Sequence, residues 1–335
     1  MGTQLRYDMF ELARSAEEAK RLHKCGNIYH RGQELAWDGR DVLAELLAKH
    51  GGVHVTESQR GALERIFAVI LWGELAAWKI SAQLADRLVP LEAKLAATSQ
   101  AFDEARHFYV MHDYLQTLGY VAKPLARAPQ AMLDLVLGTD DLAEKLVGMQ
   151  LMIETLALGL FQAVRERAIE PVLTELMRYY ERDEARHVGL GMQYAPSLIA
   201  GKSPLQLLRL GTFQVRIMFW ALAELRLLAP DLATLGIDPR VLIESTRVKQ
   251  LAALGAAYGT AGVRLDKRRN PLAMALNAAV ELSFPHQPAA PITTRARAAW
   301  GAFWEVAQPK PVSSFDQHRH AIKTARGAVA DGDDL

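Results

Sequence analysis

The chain has 335 residues, half of them hydrophobic, and a formal net charge of +1. This length allows one large domain or two, and the balanced charge gives no reason to expect nucleic acid as a partner. Cys25 is the only cysteine, which excludes an intrachain disulfide, and the N-terminus has no apolar signal-peptide core. No apolar run is long enough to predict a membrane span. We therefore expect a cytoplasmic protein.

The first third of the chain is predicted to be helical, because its apolar residues recur at helical spacing. An amphipathic helix is expected over 7–25, followed by a less regular segment over 28–40 that contains the turn signal Trp37-Asp38-Gly39. A short helix over 41–50 should close at Gly51-Gly52. A first long helix should then begin near Thr56 or Ser58 and end before Pro90, and a second should run from about 91 to 118.

Two further long helices are predicted in the middle of the chain. The run Gly138-Thr139-Asp140-Asp141 is typical of a helix N-cap and starts the third, which we expect as one continuous helix ending before Pro171. Pro171 suits the first position of the fourth, which should close at Gly201.

The C-terminal third adds helices predicted over 203–229, 238–257 and 271–284, then a tail that we expect Trp300 and Trp304 to dock. The predicted division is an N-terminal helical segment over 1–56, a four-helix bundle over 57–200, and a helical extension over 201–335. We expect this extension to pack on the bundle and to end in a flexible tail.

The pentapeptide Asp-Glu-Ala-Arg-His occurs twice, at 103–107 and at 183–187. A lone glutamate precedes each copy by 30 residues, Glu74 before Glu104 (104 − 74) and Glu154 before Glu184 (184 − 154). The two sets are offset by 80 residues (184 − 104), which indicates an internal repeat of a helix pair.

Each pentapeptide places a carboxylate and an imidazole three residues apart, on one face of a helix. Glu74 and Glu154 lie in apolar stretches, where an ionised glutamate is costly unless it is paired or bound to metal. The set matches the ligands that four-helix bundles use to hold two transition metals. The predicted ligands are Glu74, Glu104, His107, Glu154, Glu184 and His187. Carboxylate and imidazole ligands without thiolates favour iron or manganese. The alternatives are a solvated charged face and a bundle that has lost its metals.

Residues beside the ligands are predicted to support them. A metal-bound histidine usually donates its second N–H to a carboxylate. We expect Asp103 to reach the histidine of the other motif, His187, and Asp183 to reach His107, with Arg106 and Arg186 paired to the aspartates. Tyr180, four residues before Glu184, is a candidate catalytic phenol, with a core tyrosine as the alternative. Gln100 and Gln150 occupy equivalent positions before Glu104 and Glu154.

At these paired motifs the chain resembles the ferritin-like di-iron oxygen-activating proteins, and within them the ribonucleotide reductase small-subunit superfamily and the bacterial monooxygenase hydroxylases. The resemblance covers roughly 57–200. It implies an all-α fold, a ferritin-like four-helix bundle with additional N- and C-terminal helices, and a cofactor of two iron ions or a Mn/Fe pair. The sequence departs from these families where they carry a radical Tyr or a Thr, having Met111, Ala157 and Leu158 instead.

The resemblance implies an oxidase or monooxygenase that acts with O2 on a small, largely apolar organic substrate and draws on an electron donor. The alternative is a ferroxidase or other iron-handling protein; a non-enzymatic helical scaffold leaves the six ligands unexplained. A homodimer is left open.

Overall fold

The computed structural model describes residues 12–263 and 271–304, and the regular elements within these ranges are all helical. In chain order they are α1 (Leu12–Glu34), α2 (Gly39–His50), α3 (Glu57–Arg87), α4 (Leu91–Thr117), α5 (Arg127–Gly138), α6 (Leu142–Leu146), a π-helical segment (Val147–Ile153), α7 (Glu154–Arg167), α8 (Pro171–Ile199), α9 (Pro204–Thr234), α10 (Pro239–Thr260), α11 (Pro271–Ser283) and α12 (Ile292–Trp304). The predicted all-α class is confirmed.

The boundaries of the bundle helices reflect local capping chemistry. Thr56 and Gln59 form a reciprocal capping box at the start of α3. The Asp141 side chain accepts backbone N–H bonds at the start of α6. Pro171 is the first residue of α8, after Glu170, whose side chain accepts from Val172 and Leu173 N–H. These starts agree with the sequence predictions.

The N-terminal prediction was wrong over 28–34, because α1 continues to Glu34. Leu22 and Cys25 are buried, and α1 packs against α4 and α8. This packing keeps the segment helical where local pattern alone suggested irregular chain. The turn before α2 is present, and Asp38 caps that helix.

The third bundle helix is not continuous, which corrects the prediction. It is built from α6, the π-helical segment and α7, so the π-helical turns end immediately before Glu154. A π turn inserts one residue into the α register, which rotates the residues C-terminal to it by about 100°. By length and composition, Leu142–Arg167 is apolar enough to cross a membrane, but 72% of its most apolar window is buried inside the protein, as in a core helix.

The C-terminal helices cover one side of the bundle. The α9 helix contacts α3, α5 and the π-helical segment, while α10 contacts α7 and α8. The predicted docking by Trp300 and Trp304 was wrong: they are 64% and 59% exposed and lie against each other on α12. The predicted flexible end of the tail lies outside the described residues.

Candidate metal centre

Four bundle elements bring the six predicted ligands together. Glu74 comes from α3, the Glu104–His107 pair from α4, Glu154 from the first position of α7 and the Glu184–His187 pair from α8. None of the six is more than 5% exposed. The one-turn spacing in α4 and α8 aims each carboxylate and its imidazole at the same point.

The cluster contains two overlapping groups of ligand atoms, and within each group the atoms lie within 4.8 Å of one another. One group is formed by Glu74, Glu104, His107 and Glu184, and the other by Glu104, Glu154, Glu184 and His187. Glu104 and Glu184 belong to both groups. Two cations held here would therefore share two carboxylates, while Glu74 and Glu154 would each serve one.

Each imidazole turns one nitrogen toward the carboxylates. His107 Nδ1 lies 3.4 Å from Glu74 Oε2 and 3.4 Å from Glu184 Oε1. His187 Nδ1 lies 3.0 Å from Glu104 Oε1 and 3.2 Å from Glu184 Oε2. The Nδ1 atoms are thus the ones available to a metal.

The donor set fits two transition-metal ions. Glu104 Oε2, His107 Nδ1 and Glu154 Oε2 are buried and have no hydrogen-bond partner. Buried polar atoms are nearly always satisfied, so three orphaned atoms in one cluster indicate a missing ligand. A metal ion accepts electron pairs from all three, whereas a packed apolar core would leave them unsatisfied.

The electrostatics of the cluster agree with this interpretation. Burial raises the pKa of Glu74 and of Glu154 well above the usual range. Burial also opposes ionisation of Glu104, but the charge of His187 and the closeness of both imidazoles outweigh it and lower its pKa. Without metal, four carboxylates therefore cannot all ionise together, and bound cations would remove this penalty.

The crossed pairing of aspartates and histidines is present. His107 Nε2 lies 3.2 Å from Asp183 Oδ2, and His187 Nε2 lies 3.3 Å from Asp103 Oδ2. Each aspartate thus lies on the ring nitrogen opposite the one that faces the carboxylates. This geometry fixes the tautomer that leaves Nδ1 free for a metal.

Two arginines tie the aspartates to each other. Arg106 Nη2 donates to Asp103 Oδ1 over 2.5 Å and to Asp183 Oδ2 over 2.8 Å. Arg186 Nη2 lies 2.8 Å from an oxygen of each aspartate. The result is a buried network of two carboxylates and two guanidiniums behind the histidines.

Sequence reasoning missed Trp37 as a site residue and treated it only as part of a turn. Its indole Nε1 donates to Asp183 Oδ2 over 2.7 Å, and the Arg106 guanidinium lies 4.7 Å from its ring centroid. The sequence did contain a signal for such a contact, since a tryptophan in a polar turn needs a partner for its N–H. Its partner lies 146 residues away and could not be identified from local pattern.

Tyr180 is fully buried, and its ring stacks on His107 with centroids 4.3 Å apart. Its hydroxyl donates to the His107 carbonyl oxygen over 2.7 Å, an arrangement that suits a core tyrosine holding α8 against α4. A catalytic role for this phenol stays a prediction. Gln100 reaches the centre: its Nε2 donates to Glu104 Oε1 and Glu154 Oε1, and its Oε1 accepts from Gln150.

A cavity of about 170 Å³ opens onto the centre. The four predicted ligand glutamates line it, whereas neither predicted ligand histidine does. Most of the other lining side chains are apolar and come from α3, α5, the π-helical segment, α7 and the C-terminal helices. Four polar residues that the sequence analysis did not single out also line it: Glu224, Thr246, Arg247 and Gln250.

No family model and no curated protein matches this chain. Among solved structures it is similar to a Synechococcus protein with aldehyde deformylating oxidase activity, with 25% identity, a TM-score of 0.53, and coverage of 60% of this chain and 92% of that one. A variant of R2-like ligand-binding oxidase with an aerobically reconstituted Mn/Fe cofactor is 16% identical with a TM-score of 0.50, over 72% of this chain and 93% of that one, a likeness of fold alone.

The helical bundle and its buried cluster of four carboxylates and two imidazoles define a ferritin-like protein able to hold two metal ions. With the structural similarity to the Synechococcus oxidase, they place the chain in the ferritin-like di-iron superfamily.

Proposed function

We propose that this protein is an O2-activating oxidoreductase with two iron ions, or one manganese and one iron, and that it oxidises a small, largely apolar organic molecule. The observation that carries the proposal is the cavity, because its apolar wall ends at the carboxylate face of the metal cluster. An apolar molecule in this cavity would lie beside the ligands with little water around it.

The predicted ligands would hold the metal ions in two sites that share Glu104 and Glu184. The metals, when bound, would supply the redox chemistry that reduces O2. The chain's own contribution is to orient the ligands and exclude water. Asp103 and Asp183 hold the imidazoles in position, and the buried helices keep the cluster dry.

The oxidase activity of the Synechococcus protein supports this class of reaction over iron storage. We propose oxidase or monooxygenase chemistry, with electrons from a separate donor. Iron storage would require a polar route along which ferrous iron enters repeatedly. The cavity that reaches the cluster is instead walled mainly by leucine, isoleucine, methionine and alanine side chains.

The test is a titration of the full-length protein with ferrous iron in the presence of O2. We expect about two metal ions per chain by elemental analysis, and O2 uptake that stops after a near-stoichiometric amount. Continued uptake of iron far beyond two equivalents, with growth of a mineral core, would show iron storage. Failure to bind metal would end the proposal.

A further inference from the structure

The two groups of predicted ligands have different neighbours, although the internal repeat supplies their ligands symmetrically. One group is the His187 site, formed by Glu104, Glu154, Glu184 and His187. The other is the His107 site, formed by Glu74, Glu104, His107 and Glu184. A buried side-chain amide, that of Gln100, lies against the first of these groups.

Gln100 of α4 holds one oxygen of each of two glutamates. It is 1% exposed, and its Nε2 donates to Glu104 Oε1 over 3.1 Å and to Glu154 Oε1 over 2.5 Å. Glu104 Oε1 is the oxygen that lies 3.0 Å from His187 Nδ1. The Oε2 atoms of both glutamates have no hydrogen-bond partner. The amide therefore fixes the orientation of two ligands of the His187 site and leaves their Oε2 atoms free.

The orientation of this amide is itself determined by its surroundings. Ionised carboxylates accept hydrogen bonds and cannot donate them, so the NH2 group must face the glutamates and the carbonyl oxygen must face away. Gln100 Oε1 accepts from Gln150 Nε2 over 3.4 Å, and Gln150 is fully buried in the π-helical segment. That segment packs closely on α8, since a Cβ added at Gly191 would lie 2.9 Å from the Gln150 Cβ. Packing thus holds the glutamine pair in place.

The internal repeat does not carry this arrangement to the other site. The residue 80 positions after Gln100 is Tyr180 (100 + 80), and the residue 80 positions before Gln150 is Ile70 (150 − 80). The Tyr180 hydroxyl donates to the His107 carbonyl oxygen and not to a carboxylate, while Ile70 lines the cavity. Glu74, the counterpart of Glu154, therefore receives no amide from the repeat.

We propose that Gln100 is a positioning residue that makes the two metal sites unequal and sets the order in which they fill. The inference rests on the proposed function and deepens it, because it concerns the same centre. Each oxygen that accepts from Gln100 keeps a second lone pair for a metal ion. Loss of a hydrogen bond to a metal ligand typically weakens metal binding by about 10–100-fold, so the site that has this bond should fill first.

The test is an anaerobic titration of the full-length, metal-free protein with Mn²⁺, followed by electron paramagnetic resonance. With about one equivalent, the wild type should show mainly isolated Mn²⁺, because one site is tighter. Gln100→Met keeps a side chain of similar size without the N–H donors, so the two sites become similar and exchange-coupled pairs should appear at the same loading. Gln214→Met makes the same change at a buried glutamine of α9 that donates to the Tyr258 hydroxyl, and it should keep the wild-type spectrum.

Two single-site backgrounds identify the site that Gln100 serves. His107→Ala leaves the His187 site complete, and His187→Ala leaves the His107 site complete. Gln100→Met should weaken Mn²⁺ binding by about 10–100-fold in the first background and by no more than about twofold in the second. If Gln100→Met does not fold, Gln150→Met replaces it and should act in the same direction, because it removes the donor to the Gln100 carbonyl oxygen.

Equal weakening in both backgrounds would overturn the proposal, since it would show a general loss of packing. Unchanged affinity in the His107→Ala background would overturn it too, as would a wild type whose two sites fill together. These outcomes leave the proposed function intact. A wild type that binds no Mn²⁺ would instead overturn the proposed function, and this inference with it.

Discussion

Asp183 interacts with several side chains behind the candidate metal centre. Its Oδ2 accepts from the Trp37 indole, the Arg106 guanidinium and His107 Nε2. Burial opposes its ionisation, but the hydrogen bond and charge of His107, the charge of Arg186 and the indole donor together hold its pKa well below the usual range. The carboxylate is thus fixed in its charged form, which orients His107.

Replacing Asp183 with asparagine should weaken metal binding by about 10–100-fold, which is typical when the partner of a metal-bound histidine is lost. Asparagine keeps the shape and an acceptor for Trp37 but removes the charge that orients the imidazole. The measurement is a competition titration of the metal-free protein against a chelator. Asp113→Asn, an exposed change on α4, is the control and should bind as the wild type does. Wild-type affinity in Asp183→Asn would show that the pairing has no role in holding metal.

Glu224 leads to a prediction about pH. In the unfolded chain it titrates near 4.5, and in the folded chain near 8. Between these values the folded state binds more protons, so stability falls as pH rises, by at most about 1.4 kcal/mol per pH unit, and the loss is complete above 8. Glu224→Gln removes this dependence, although Arg247 remains in the same wall. Denaturant unfolding should therefore show the variant gaining on the wild type from pH 5 to pH 8. A constant difference would contradict the shifted pKa.

At the level of elements, capping residues and apolar periodicity allowed most of the bundle helices and their starts to be predicted from the sequence. Thr56, Asp141 and Pro171 begin helices where their chemistry suggested. Elements whose structure depends on tertiary packing could not be predicted from the sequence as well. The continuation of α1 beyond residue 28 results from its contact with α4 and α8. The π-helical segment has no local signature, because Val147–Ile153 has the composition of an ordinary buried helix.

The same limit applies to the candidate site. The repeated motifs pointed to the Glu104–His107 and Glu184–His187 pairs because residues three apart share one face of a helix. Glu74 and Glu154 were predicted from the ligand set of four-helix bundles, and the crossed aspartates from the partner that a metal-bound histidine needs. Trp37, Glu224 and Thr246 reach the site from outside the repeat, across loops whose path the sequence does not specify. Their positions depend on how the flanking helices dock against the bundle.

A substitution at Gly148 tests how closely the π-helical segment is packed. A Cβ there would lie 2.7 Å from Val136, 2.8 Å from Phe213 and 3.0 Å from Ile217. Gly148→Ala should lower the free energy of unfolding by about 1–3 kcal/mol, because these side chains must shift in a closely packed region. Gly255→Ala on α10 is the matched control: nothing lies within 4 Å of its added Cβ, so it should stabilise by about 0.5–1 kcal/mol. Thermal unfolding measures both changes, and equal effects would show that Gly148 has room.

At the scale of the whole molecule, the metal cluster has two different sides. The N-terminal helices pack on α4 and α8 and place Trp37 against the aspartates behind the histidines. The C-terminal helices α9 and α10 cover the opposite, carboxylate side and leave the cavity open to it. One side therefore holds the ligands in position, and the other contains the cavity in which we propose that the substrate binds. The bundle alone supplies neither the indole donor nor Glu224 and Gln250 in the cavity wall.

This arrangement makes the folded protein depend on its metals. Without them, four carboxylates and two imidazoles lie buried in the centre of the bundle, and three of their atoms have no hydrogen-bond partner. Metal that binds the folded chain stabilises it by about 4 kcal/mol when free metal exceeds Kd a thousandfold. Removing metal with a chelator should thus lower Tm by several degrees, and adding Fe²⁺ anaerobically should restore it. Asp183→Asn should regain less than the wild type at the same metal concentration, because its affinity is lower. A Tm that does not change on chelation would mean that the cluster does not hold metal in the folded protein.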